Sequence, residues 1–155
     1  MTDKRRPADK KNLTLIDTIV LNGRVEMVDY EDRDHATQYI GVCEYNRVPT
    51  FGGYVEKLAH EFAFTPEMEE KIGWRNRIAN VRMVFGDAPI DPHAVDAAII
   101  NTYYGTVDAQ FRVHVSDLSG YLWTDEEFKV GGHSMIDILK ANLGKWCHIE
   151  IEIFD

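Results

Sequence analysis

The closing stretch, Asp125 to Asp155 (DEEFKVGGHSMIDILKANLGKWCHIEIEIFD), constrains the fold most, because every local signal in it agrees. A polar run breaks at Gly131-Gly132, and Ser134 stands where a helix N-cap belongs. Asp137, three residues on, completes a capping-box pattern. Ile136, Leu139 and Leu143 repeat at helical spacing with Met135 at the edge of the stripe, and Gly144 offers a left-handed exit. The final strand then alternates. Cys147, Ile149, Ile151 and Ile153 point one way, while Trp146, His148, Glu150, Glu152 and Phe154 point the other.

The same reading carried along the chain gives a mixed set of elements. LTLIDTIVL, 13–21, is rich in β-branched residues and runs into Asn22-Gly23, a pair suited to a hairpin turn before a second strand at 24–30. A third strand is expected at 36–45, then a loop at 47–53 on the strength of Pro49 and Gly52-Gly53. Val55, Leu58, Ala59 and Phe62 fall at i, i+3, i+4 and i+7, which predicts a helix over 54–64. Thr65-Pro66 opens a short helix through Ile72, and Asp91-Pro92 opens another with Val95, Ala98, Ile99 and Thr102 as its stripe. Strands are expected at 78–85 and 106–116, both alternating. Alternation means one buried face. The expected fold is therefore α+β: an antiparallel or mixed sheet of about six strands, with two to four helices packed mainly on one face.

Length allows one domain with a full core, expected over 12–155 behind a flexible basic tail at 1–11. The tail carries five basic and two acidic residues, whereas the rest holds 12 basic and 24 acidic ones, a net of −12. An acidic body repels phosphate backbones, which disfavours direct nucleic-acid binding by the folded part. No apolar run is long enough to span a bilayer, and no apolar stretch follows the basic start as a secretory signal would require. Two cysteines, Cys43 and Cys147, make neither a disulfide framework nor a four-ligand zinc site. A cytoplasmic protein without cofactor or metal is the expectation.

Candidate chemistry is sparse. On the polar side of the final strand His148 and Glu150 stand two apart, and His114 lies with Arg112 on the polar side of the 106–116 strand. If these strands were neighbours the histidines and glutamate would meet. Gly131, Gly132, His133 and Ser134 precede a helix N-terminus and form a candidate anion-binding turn. His35-Ala36-Thr37 and His114-Val115-Ser116 resemble the paired His-x-Thr/Ser motifs of the two-histidine phosphoesterases. That resemblance implies His35 and His114 as acid and base. Gln38 and Asp117 depart from it, standing where those strands would continue apolar. Trp146, Glu150, Glu152, Asp32 and Asp34 are candidate interface residues, the tryptophan as an anchor and the acids as charge.

Three functions follow as expectations. The first is a non-enzymatic acidic binding protein, of inhibitor, immunity or phage counter-defence type, acting on a basic protein partner. The second is a small hydrolase, phosphoesterase or ligand-binding protein using His114, His133 and His148. The third is a homo-oligomer subunit whose final strand pairs with another chain at a sheet edge.

Overall fold

The computed structural model describes residues 13–32, 35–64, 76–115 and 122–155, and at 30–32, 35–37, 98, 110–115 and 122–126 it describes backbone only. Its strands are β1 (Leu15–Asp32), β2 (His35–Thr50), β3 (Gly53–Ala63), β4 (Ile78–Gly86), β5 (Asn101–Val115), β6 (Leu122–Val130), β7 (His133–Ser134) and β8 (Trp146–Phe154). One α-helix, α1 (Met135–Ala141), precedes β8, and a 3-10 turn occupies Ala97–Ile99. The strands form one eight-stranded sheet in the order β3-β2-β1-β8-β4-β5-β6-β7, antiparallel throughout.

This corrects the α+β expectation. The protein is a large antiparallel sheet with a single short helix among its described residues, not six strands under two to four helices. Two local misreadings contribute to the difference. The 54–64 segment is strand β3, hydrogen-bonded along β2, with a register break at Glu44/Tyr45 that leaves Ala59 without an opposite residue. That bulge inserts one extra position, so apolar residues on an irregular strand fall into helix-like spacing. The 91–102 stripe yields only the 3-10 turn before β5 begins. The helix expected at 66–72 lies outside the described residues.

Asn22-Gly23 is no turn either, since β1 runs straight through it. Here β1 changes partner: residues 15–24 pair with β8, and residues 24–32 pair with β2. Gly23 serves close approach. A Cβ there would sit 2.2 Å from the Cys43 carbonyl oxygen, so no side chain fits beneath β2. Among the described residues, the first hairpin bend is at Phe51-Gly52, between the paired residues Thr50 and Gly53. Pro49 is tolerated because β2 has β3 on one side there and no described strand on the other.

The closing unit forms largely as its sequence reads, although the helix ends at Ala141 and Leu143, expected on its apolar stripe, is exposed. Ser134 Oγ accepts the Asp137 amide at 3.2 Å, and Gly144, at φ 85°, lies in the turn that follows the helix. Cys147, Ile149, Ile151 and Ile153 are buried. β8 is central, however, flanked by β1 and β4. Edge pairing by the final strand is thereby removed. Phe154, expected on the outer side, is buried at the end of the sheet.

The core is a single cluster. It joins Leu21 and Val25 of β1, Ile40 and Val42 of β2, Val81 and Met83 of β4, Val107 of β5, Val130 of β6, and Met135, Ile136 and Leu139 of α1 to the β8 isoleucines. Residues from nearly every strand meet because the sheet curls on itself. Phe64, just beyond β3, stacks edge-on against Phe128 of β6 at 5.5 Å, and α1 contacts both β2 and β6. At Gly105, β5 passes from β4 to β6. A Cβ there would lie 2.5 Å from Gly131 Cα, so two backbones cross in contact. Each fully buried isoleucine contributes about 1.5–3 kcal/mol. Outside the curl lies the polar face.

Candidate functional site

The outward residues of β8 and β4 stand in register: Glu152 opposite Asn80, Glu150 opposite Arg82, and His148 opposite Val84. From the other side, Asn22 of β1 stands opposite His148. Segment 87–100 lies over this face and encloses a cleft of about 210 Å³ lined by Arg82, Met83, Val84, Pro92, His93, Val95, Ile100, His148 and Glu150.

Its floor is wired internally. Asn22 Nδ2 donates to the Ile90 carbonyl at 2.9 Å and lies 3.0 Å from His148 Nδ1. An amide nitrogen only donates, and the Ile90 carbonyl fixes which way that amide faces, so His148 Nδ1 is the acceptor. The ring proton then sits on Nε2, which faces Glu150 Oε2 at 4.0 Å. Arg82 Nη2 reaches the same oxygen at 3.4 Å. Asn80 donates to Glu152 Oε1 at 3.1 Å. The arrangement is a carboxylate paired with Arg82, with the His148 Nε2 beyond hydrogen-bond reach of it, between apolar walls. It suits recognition of a small polar group. Among the described residues, no Ser, Thr or Cys lines the cleft. No cluster of three or more metal-ligating side chains occurs among the described residues.

Other expected site residues are dispersed. His114 does not meet His148, because β4 lies between β5 and β8. β5 pairs with β4 only as far as Thr106, and backbone position 114, opposite Trp123 of β6, lies eight residues further along. At strand rise that is roughly 26 Å. Arg82 takes the place beside Glu150 that Arg112 and His114 were expected to fill. His35 begins β2, separated from β5 by β1, β8 and β4, so the two His-x-Thr/Ser triplets occupy distant strands. The side chains of His35, Asp32 and His114, and all of Asp34, lie outside the described residues.

His133 packs against Tyr103 with ring centroids 5.1 Å apart. Tyr103 pairs with Val81, which pairs with buried Ile151, and direct partners share a face. His133 therefore lies on the core side of the sheet and His148 on the outer side. Gly131 and Gly132 form the β6–β7 turn, with the Gly131 amide donating to the Thr106 carbonyl at 3.1 Å. Gly131 is accounted for by the crossing at Gly105, and Gly132 by its positive φ of 84° in the turn.

Trp146 is a brace. The Arg24 guanidinium lies over the Tyr45 ring at 5.0 Å and the Trp146 ring at 5.2 Å, and Tyr45 Oη donates to Glu26 at 2.5 Å. The hydrogen bond to Tyr45 chiefly, with the neighbouring Glu26, raises the Arg24 pKa; that to Glu26 raises the Tyr45 pKa. The cluster marks where β2 leaves β1. Burial likewise holds both cysteines as thiols, Cys147 pushed up to about 12 and Cys43 to about 11.

Sequence reasoning overlooked Asn22 and Arg82. The signal for Arg82 was present in the alternation of 78–85, whose outward members are Asn80, Arg82 and Val84. Asn22 was concealed by its turn-like neighbour Gly23. Compared with protein-family models, curated proteins and solved structures, the chain matches none.

Proposed function

We propose that the protein is a non-catalytic binding protein that docks its acidic surface on a basic protein partner, as inhibitor, immunity and counter-defence proteins do. The observation that carries this reading is the net charge of −12 outside the first 11 residues. It is supported by the cleft, whose carboxylate is already paired with Arg82. Such a field steers encounter with cationic surfaces and is screened by salt. Cross-linking in a cell extract, followed by affinity measurement on the purified partner, tests it. The expected partner is basic, binding weakens steeply with salt, and Asp108→Lys with Asp137→Lys lowers the on-rate. A partner bound equally well at high salt overturns the reading.

A second reading, a small-ligand protein, is favoured by the cleft itself, where Nε2–H of His148 and the Arg82 guanidinium converge on Glu150. Calorimetric screening of small carboxylates and amides, with Glu150→Gln as control, distinguishes it. Saturable binding abolished by that variant supports it, and no heat from any compound removes it.

A further inference from the structure

β1 and β2 part company at Glu44. Up to Cys43, β2 lies along β1; from Tyr45 to Thr50 it pairs only with β3, so the two strands form a free arm. Every residue of β3 from Gly53 to Glu61 is exposed, although the arm carries Phe51, Tyr54, Val55 and Leu58. A two-stranded ribbon is marginal in water by itself, and large apolar side chains clustered on one mark a contact surface. The departure of β2 leaves a second apolar surface behind it. Residues 15–22 of β1 have β8 on one side and no described strand on the other, and they expose Leu15, Ile16 and Val20.

We infer that a second copy of this chain covers both surfaces, the arm of one copy packing across residues 15–20 of β1 in the other. The area is sufficient. Reciprocal covering of these seven side chains on two copies would bury on the order of 1,500 Å², the size of a standard stable interface. Charge selects the place. Two bodies of net −12 repel, whereas residues 44–63 carry three acidic and two basic side chains and are nearly neutral. The contact is made by side chains and not by an added ladder. The Thr18 amide already donates to Asp17 Oδ1 at 2.8 Å and the Asn22 amide to Glu44 Oε1 at 3.2 Å, so carboxylates occupy the strand edge. This self-association does not depend on the basic-partner reading, and salt separates the two. Screening strengthens contact between like-charged copies and weakens contact with a cationic partner.

Sedimentation velocity of the full chain over a concentration series, at low and high salt, tests the inference. The expected result is a rise in weight-average mass of about twofold for closed reciprocal exchange, larger at high salt, and abolished in Phe51→Ser/Leu58→Ser. Ile16→Thr/Val20→Thr, on the opposing surface, provides a second route should the arm variant lose its far-ultraviolet dichroism. A photo-cross-linker at position 58 in a mixture of ¹⁴N- and ¹⁵N-labelled chains should join residue 58 to the 15–22 peptide of the other isotope. A monomer under all conditions overturns the inference. So does association that survives both variants, or cross-links joining arm to arm.

Discussion

Asn22 donates to His148 Nδ1 across 3.0 Å, and the same amide nitrogen holds the Ile90 carbonyl at 2.9 Å. One side chain on β1 thus sets the tautomer of a histidine on β8 and fastens the segment that roofs the cleft. Asn22→Ala leaves a half-buried ring nitrogen and a carbonyl without their donor, at a cost of about 1–3 kcal/mol. Urea denaturation should report that loss, and hydrogen exchange in 90–95 should accelerate. Unchanged stability with a protected roof would count against the latch.

Arg24 braces the base of the arm by lying over both Tyr45 and Trp146. Arg24→Ala removes the planar cation between two rings, each contact worth about 0.5–1 kcal/mol where partly exposed. Amides of 44–50 should exchange faster, while those of β8 stay protected. Arg24→Lys should restore little, because an ammonium lacks the flat face.

Gly23 and Gly52 provide a matched pair. A Cβ at Gly23 meets the Cys43 carbonyl, whereas nothing lies within 4 Å of one at Gly52. Gly23→Ala should lower the unfolding free energy by roughly 1–3 kcal/mol or more, and Gly52→Ala by much less. Equal midpoints for the two variants in a denaturant titration would contradict the close approach of β1 and β2.

The buried thiols impose a pH dependence of known sign. Burial raises both folded-state values above the ordinary 9.0, Cys147 to about 12 and Cys43 to about 11. Their contribution to stability is complete below about pH 9 and is lost as pH rises through 11 to 12, because the unfolded chain ionises first. Alkylation at mildly alkaline pH should spare both cysteines until denaturant is added. Cys147→Ala should flatten the alkaline limb of the stability curve.

What could be read from the residues was whatever depended on neighbours in the chain. The Ser134 cap, the Gly144 exit and the β8 alternation follow from spacings of one to four residues, and β4 and β5 from their period of two. What could not be read depended on distant partners. Whether Val55, Leu58, Ala59 and Phe62 lie on a helix or on a bulged strand is decided by β2, which pairs with them. Whether Asn22-Gly23 turns or runs on is decided by β8 and by the Cys43 carbonyl. The site divided in the same way. His148 and Glu150 were visible as outward neighbours on one strand, but their companion is Arg82, because strand order places β4, and not β5, beside β8.

The proposed function lies on the charged surface and not in the cleft. The most direct measurement is the affinity of the purified basic partner across a salt series, for the wild type, for Asn22→Ala/Glu150→Gln, and for Asp108→Lys/Asp137→Lys. The expected result is that affinity falls with salt, that the cleft variant binds as the wild type does, and that the charge-reversed variant associates more slowly. Binding or turnover abolished by the cleft variant, with no response to salt, would contradict it.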